Sequence, residues 1–176
     1  MTLIEKLTRH ETKELICKCW MTHDAMWFAN ALFSHGIDVA NQLNRAAIKS
    51  MVDIETGRLL KAMDLSPHQI KNFEGFKAFF QNARELLIPD FMNVTIDFNA
   101  PDTISWRFNE KGCFAYNGVK RLKVENHYQC GVLYRIQCWL TCLDIPFEMT
   151  PVPGTCLMAE QGCCQGHFKC SFSEQR

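Results

Sequence analysis

Ten of the 176 residues are cysteine, and eight of the ten fall after residue 90. Residues 1–14 carry charges every two or three positions with no apolar centre and are not expected to be a secretory leader, so thiols at this density point to the reducing cytosol. There they serve as metal ligands, redox groups or small buried hydrophobes rather than disulfides. Zinc or iron requires about four thiolate or imidazole ligands converging tetrahedrally. The paired C-x-x-C form of such a site is absent. Cys17 and Cys19 are two apart, about 200° around a helix, and face different ways. Cys138 and Cys142 face the same way but border an apolar helical stripe, where packing accounts for them. Cysteines at element boundaries are better placed, because bends in the backbone let their side chains converge. Cys113 follows a hairpin, Cys130 sits near the start of a helix whose dipole favours a thiolate, Cys156 follows Pro-Val-Pro-Gly, and Cys164 belongs to a vicinal pair with Cys163 before the last strand. The expected metal ligands are Cys113, Cys130, Cys156 and Cys164, with His127 as a substitute.

A second group is polar. His23, Trp27 and Asn30 follow i, i+4, i+7 spacing with Asp24 beside them, and Asn41, Asn44 and Arg45 are neighbours on the next helix. Amides are costly to bury unpaired. Asp24, Trp27, Asn30 and Asn44 are therefore expected to line a pocket for a small polar ligand, with Trp27 stacking on it and Arg135 binding a carboxylate. The competing reading is that Asp24 caps a helix and the amides fix packing or face water. Two alternatives stand: a hydrolase of a small cyclic amide or thioether with a Cys nucleophile (Cys130 with His127, or Cys170 with His167), and a structural or interaction domain with buried reduced cysteines. Phosphate-loop, dinucleotide, zincin and serine-hydrolase motifs are absent, and Lys120-Arg121-Lys123 reads as a solvated basic face.

The elements that must position these residues divide at Pro89. Before it, apolar residues recur with helical period: Thr8–Met21, then a helix from Thr22 as N-cap over His23–His35 to Gly36, then Asp38 to about Met63, then a helix opened by Ser66-Pro67-His68-Gln69 and running to about Leu87. After it the period becomes two. Val94, Ile96 and Phe98 alternate, Asn99–Asp102 turns, and Ile104, Trp106 and Phe108 alternate, which is a hairpin with one buried face. Lys111-Gly112 breaks it. A helix is expected over about 123–143, then a strand at Phe147–Met149 and two short strands at Cys156–Glu160 and His167–Phe172. The expected fold is one α+β domain over 1–176. A helical half of about four helices (1–88) packs on a small, mostly antiparallel sheet of β-β-α-β-β order (89–176).

Nineteen basic and nineteen acidic residues leave no net charge, which argues against nucleic acid as a partner, and no apolar run is long enough to span a bilayer. A small-molecule ligand is the remaining partner class, and a cytoplasmic location is expected.

The run H-D-x-x-W-F-x7-G-I-D-x-A-N-x-L-N (His23 to Asn44) and the spaced residues C-x7-R-x8-C-G…R…W…L-D-I-P…P…C…G-C-C (Cys113 to Cys164) resemble a family of uncharacterised cytosolic proteins of anaerobic bacteria and archaea. That family is distantly similar to L-2-amino-thiazoline-4-carboxylic acid hydrolase-like proteins. The resemblance spans roughly residues 15–172 and implies a cytoplasmic α+β protein with boundary cysteines. It singles out Asp24, Trp27, Asn44, Cys113, Arg121, Cys130, Trp139, Cys156 and Cys164. Cysteines 17, 19, 138, 142, 163 and 170 depart from the pattern.

Overall fold

The computed structural model describes residues 1–109 and 113–172. Two long helices, α2 (Arg9–His35) and α3 (Ile37–Ala62), follow a single turn, α1 (Leu3–Lys6), and reverse about Gly36, whose φ of +83° suits glycine. Next come α4 (Phe73–Leu87), the hairpin β1 (Val94–Asn99) and β2 (Thr103–Phe108), α5 (Phe114–Arg121), α6 (Gly131–Cys142), β3 (Phe147–Thr150), α7 (Leu157–Gln161) and β4 (Cys164–Cys170). The sheet order is β1-β2-β4-β3 and every neighbouring pair is antiparallel.

The α+β class and the helical N-terminal half follow the expectation, and so does the 94–108 hairpin in register Val94↔Phe108 to Asn99↔Thr103. Several details differ. Thr22 starts no helix. The chain there holds neither Gly nor Pro, so α2 runs through, and its true cap is Thr8 with Glu11 in a capping box. Gly36, not Asp38, caps α3. Ser66 and Gln69 do form a capping box, but it closes only a 3-10 turn, and α4 starts at Asn72, whose Oδ1 accepts from Gly75 N at 2.8 Å. The helix expected from 123 begins at 131, because Lys123 adopts φ +60°. Residues 157–161, expected as strand, form α7. Leu-Met-Ala-Glu-Gln are all good helix formers, and Gly162 at φ +72° ends the turn. Helix α5 is a further element, so seven α-helices stand among the described residues where about five are expected, and the second half runs β-β-α-α-β-α-β rather than β-β-α-β-β. The expected break at Lys111-Gly112 lies outside the described residues.

One face of the sheet is covered. Ile104, Trp106, Phe108, Cys164, Phe168 and Cys170 are buried, while Asp97, Arg107, Gln165 and Lys169 face outward. Phe76, Phe79 and Phe80 of α4 are buried against this side, with Phe80 edge-on to Phe98 and Trp139. Helix α6 is fastened to α3 at both ends. The Asn41 side chain donates to His127 O at 2.8 Å and accepts from Gln129 N at 3.0 Å. Glu55 accepts from Arg135 Nε at 3.1 Å, from Arg135 Nη2, and from Trp139 Nε1 at 2.7 Å.

Candidate functional site: a thiol cluster beside an apolar cavity

Cys113, Cys130 and Cys156 each occupy the N-cap position of a helix, α5, α6 and α7 respectively. Orphan amide N–H groups point outward at such ends and favour negative charge. At one of them the N–H meets sulfur: Tyr116 N donates to Cys113 Sγ at 3.5 Å. Cys130 and Cys156 make no side-chain cap hydrogen bond, and the N–H groups of Leu133, and of Ala159 and Met158, favour their thiolates only by proximity. Cysteine is an uncommon cap, which explains why α5 and α7 escaped a reading based on Ser, Thr, Asp and Asn. Cys164 opens β4 opposite Phe108, on the covered face of the sheet. The Trp106 indole N–H is buried, makes no hydrogen bond of normal geometry, and bears on the Cys164 sulfur, which it favours as thiolate.

The four thiols share one neighbourhood. Charge on Cys113, Cys156 or Cys164 would oppose ionisation of Cys130, and charge on Cys113 or Cys156 would oppose it at Cys164. Burial is the larger influence. It pushes Cys113 up to about 11 and Cys164 up to about 12, and it raises Cys130 and Cys156 as well. Tyr128 stands among them, also pushed upward by burial, with its hydroxyl accepting from Gly131 N at 3.1 Å. The sulfurs are gathered but not closed. Among the described residues no three of them lie within 4.8 Å of one another, whereas thiolates on one tetrahedral zinc are about 3.8 Å apart. All ten cysteines are free. His127, the substitute ligand, is exposed, and its carbonyl is engaged by Asn41. The one group among the described residues whose ligand atoms do come within 4.8 Å is His10, Glu14 and Asp90, where Glu14 fastens the start of the 90–92 turn by accepting from Asp90 N at 2.8 Å.

A cavity of about 520 Å³ lies between the covered face of the sheet and helices α2, α3, α5 and α6. Its floor is Val94, Ile96, Ile104, Trp106, Phe108 and Phe168, and its walls are mostly apolar. Volume and lining match those of small-molecule sites. Trp106 and Tyr128 belong to both the cavity wall and the surroundings of the thiols. Gly166 makes room for this arrangement: a Cβ there would collide with Thr150 O and come within 2.6 Å of the Trp106 ring.

The five expected ligand residues divide between two places. Asp24, Asn44 and Arg135 line the cavity. Trp27 and Asn30 do not. They lie with His23, Met26 and Leu43 in a shallow groove on the outer side of α2 and α3, and the Asn30 amide donates back to Met26 O within its own helix. Trp20 takes the wall position expected of Trp27. Arg135, expected to meet a ligand carboxylate, meets the carboxylate of Glu55 instead, with its guanidinium over the Trp20 and Trp139 rings. Arg121, read as part of a solvated basic face, is exposed at the cavity rim and forms no ion pair among the described residues. Asp24 is also at the rim, where burial raises its carboxyl against the opposing influence of Arg135 and His23.

A nucleophilic cysteine needs a lowered pKa. The clustered thiols are displaced the other way, and so is Cys170, to about 11. No family model, curated protein or solved structure matches the chain. No described helix is long and apolar enough to cross a membrane.

Proposed function

We propose that this is a cytoplasmic ligand-binding protein: a small, mainly apolar molecule with one anionic or polar end fills the cavity, and Cys113, Cys130, Cys156 and Cys164 beneath it hold a zinc or iron ion. The observation that carries the reading is the arrival of four thiols, from four separate stretches of chain, in one buried neighbourhood, three of them on helix N-termini. Helix N-termini, with the Tyr116 N–H donated to Cys113 Sγ, suit thiolates, and thiolates suit zinc and iron. The upward displacement by burial marks the cost of ionising these sulfurs without a metal, so loading releases protons and strengthens as pH rises. Four thiolates make a closed centre that fixes α5, α6, α7 and β4 relative to one another, and through Trp106 and Tyr128 shapes the cavity.

The ligand's apolar body would lie on Trp106, Phe108 and Ile104. Its anionic end would reach Arg121 at the rim, since Arg135 is already paired. Elemental analysis of protein purified without oxygen and without a metal-binding tag tests the metal reading. About one zinc or iron per chain is expected, and less than about 0.2 contradicts it. Tryptophan fluorescence titrated with aromatic and aliphatic carboxylates tests the cavity. Saturable quenching is expected, and its absence across both classes contradicts the ligand reading.

A further inference from the structure

The outer face of α2 and α3 carries an uncovered apolar stripe on each helix. From Leu15 to Ser34 the only formally charged side chains are Lys18 and Asp24. Neither serves this face: Lys18 turns onto the Phe91 ring, and Asp24 lines the cavity. What remains outward on α2 is Ile16 (62% exposed), Met26 (54%), Trp27 (60%) and Phe33 (74%). On α3 the positions Val39, Leu43, Ala46, Ser50 and Ile54 recur at helical spacing and are exposed. Leu43 meets Trp27 and Asn30 in the shallow groove, so the two stripes form one surface. The His23, Trp27, Asn30 spacing noted in the sequence belongs to this surface rather than to the cavity.

We infer that this face is the dimer interface of the protein, where the α2–α3 hairpin of a second copy packs on the first to form a four-helix bundle. Area supports a second copy. An aromatic side chain buries about 150–250 Å² and an aliphatic one about 100 Å² on its transfer energy. At the observed exposures the apolar residues of the two stripes offer roughly 600 Å². With the interspersed polar residues His23, Asn30 and Ser34, the patch reaches the ~800 Å² per partner of a stable interface. A lone monomer rarely leaves so large a contiguous apolar patch open. Charge supports it too. A two-fold interface sets the same patch against itself, so any fixed charge near the axis would meet its own copy, and the positions named on the two stripes carry none. Small residues on α3, Ala46 and Ser50, permit close helix approach, while Trp27 and Phe33 supply large anchors for the facing groove.

Sedimentation velocity of the full chain over a wide concentration range is the test. The expected result is a closed species of twice the 20.4 kDa chain mass. Phe33→Glu and, separately, Leu43→Glu should each weaken the dimer by about 100-fold or more, because each puts two desolvated charges into the bundle. Both should retain wild-type circular dichroism, since both side chains are largely outside the monomer core. Leu86→Glu, an exposed apolar position on α4, should leave the dimer intact. A wild-type chain that stays monomeric, or that forms open-ended aggregates, overturns the inference and gives the face to some other occupant. A dimer unmoved by Phe33→Glu and Leu43→Glu, or dissolved equally by Leu86→Glu, overturns it as well. Metal content and ligand titration of the monomeric variants should match the wild type, so failure of the dimer is separable from failure of the cavity or the thiol centre.

Discussion

Glu55→Ala is the substitution whose cost follows most directly from the geometry. The Glu55 side chain is 12% exposed and its partner Arg135 21%. It accepts both from Arg135 and from the indole N–H of Trp139, which is itself 1% exposed. Truncation leaves the Trp139 donor buried without an acceptor, at about 1–3 kcal/mol. Breaking a fully buried ion pair costs about 3–5 kcal/mol. Arg135 keeps a fifth of its surface in water and its contacts with the Trp20 and Trp139 rings, so its share falls toward 1 kcal/mol. A total near 3 kcal/mol is expected, a large part of the 5–15 kcal/mol that holds a typical domain together. Glu55→Gln keeps an acceptor for Trp139 and should cost about half as much. Adding Arg135→Met to Glu55→Ala should recover about 1 kcal/mol, because it removes the stranded cation. Urea unfolding at neutral pH with constant m-value measures all three. A Glu55→Ala protein within 1 kcal/mol of the wild type, or a double variant less stable than the single, would refute the reasoning.

Other consequences are as specific. Gly166→Ala drives a methyl into Thr150 O and the Trp106 ring. It should cost about 1–3 kcal/mol and lower the thermal midpoint by roughly 2–12 °C, with an unchanged midpoint counting against the packing described. Cys170 is 2% exposed and its thiol is pushed up to about 11 by burial, with Asp102 adding to the effect. Its folded value therefore lies above the unfolded value near 9. The stabilisation is whole below pH 9 and lost as pH rises through about 11, on the order of 2 kcal/mol. Urea midpoints from pH 8 to 11 should fall for the wild type and fall less for Cys170→Ala. Gly118 lines the cavity, with nothing within 4 Å of where a Cβ would stand. Gly118→Leu should weaken any saturable cavity ligand at least about 10-fold, on the volume it removes, while leaving metal content unchanged.

Much of the frame was legible because it rests on local rules. Alternation through Val94–Phe108 fixed both the hairpin and its buried face, and the apolar period of α3 and α4 located those helices. The boundaries chosen for Cys113, Cys130 and Cys156 proved to be helix N-caps, although two of the helices had not been foreseen. What failed had a physical cause. Thr22 carries a cap-forming side chain, but nothing around it interrupts helical hydrogen bonding, so cap chemistry alone did not end α2. Residues 157–161 lie between a proline-rich connection and a strand, and that context hid five residues of good helix propensity. Asp24, Asn44 and Arg135 do line a cavity, but its mainly apolar wall escaped notice because apolar residues facing a void and those facing a core have the same period. Arg135 shows the converse limit: a guanidinium suited to a carboxylate found one inside its own chain, 80 residues away.

The thiol centre is tested most directly by cobalt(II) titration of metal-free, fully reduced protein. One equivalent should produce the near-ultraviolet absorption of thiolate bound to cobalt, release protons, and raise the urea midpoint. Cys130→Ser and Cys164→Ser should each abolish or greatly weaken the band, while Cys138→Ser leaves it intact. A titration with no thiolate–cobalt absorption, or a band lost on changing Cys138 but not Cys130, would contradict the account.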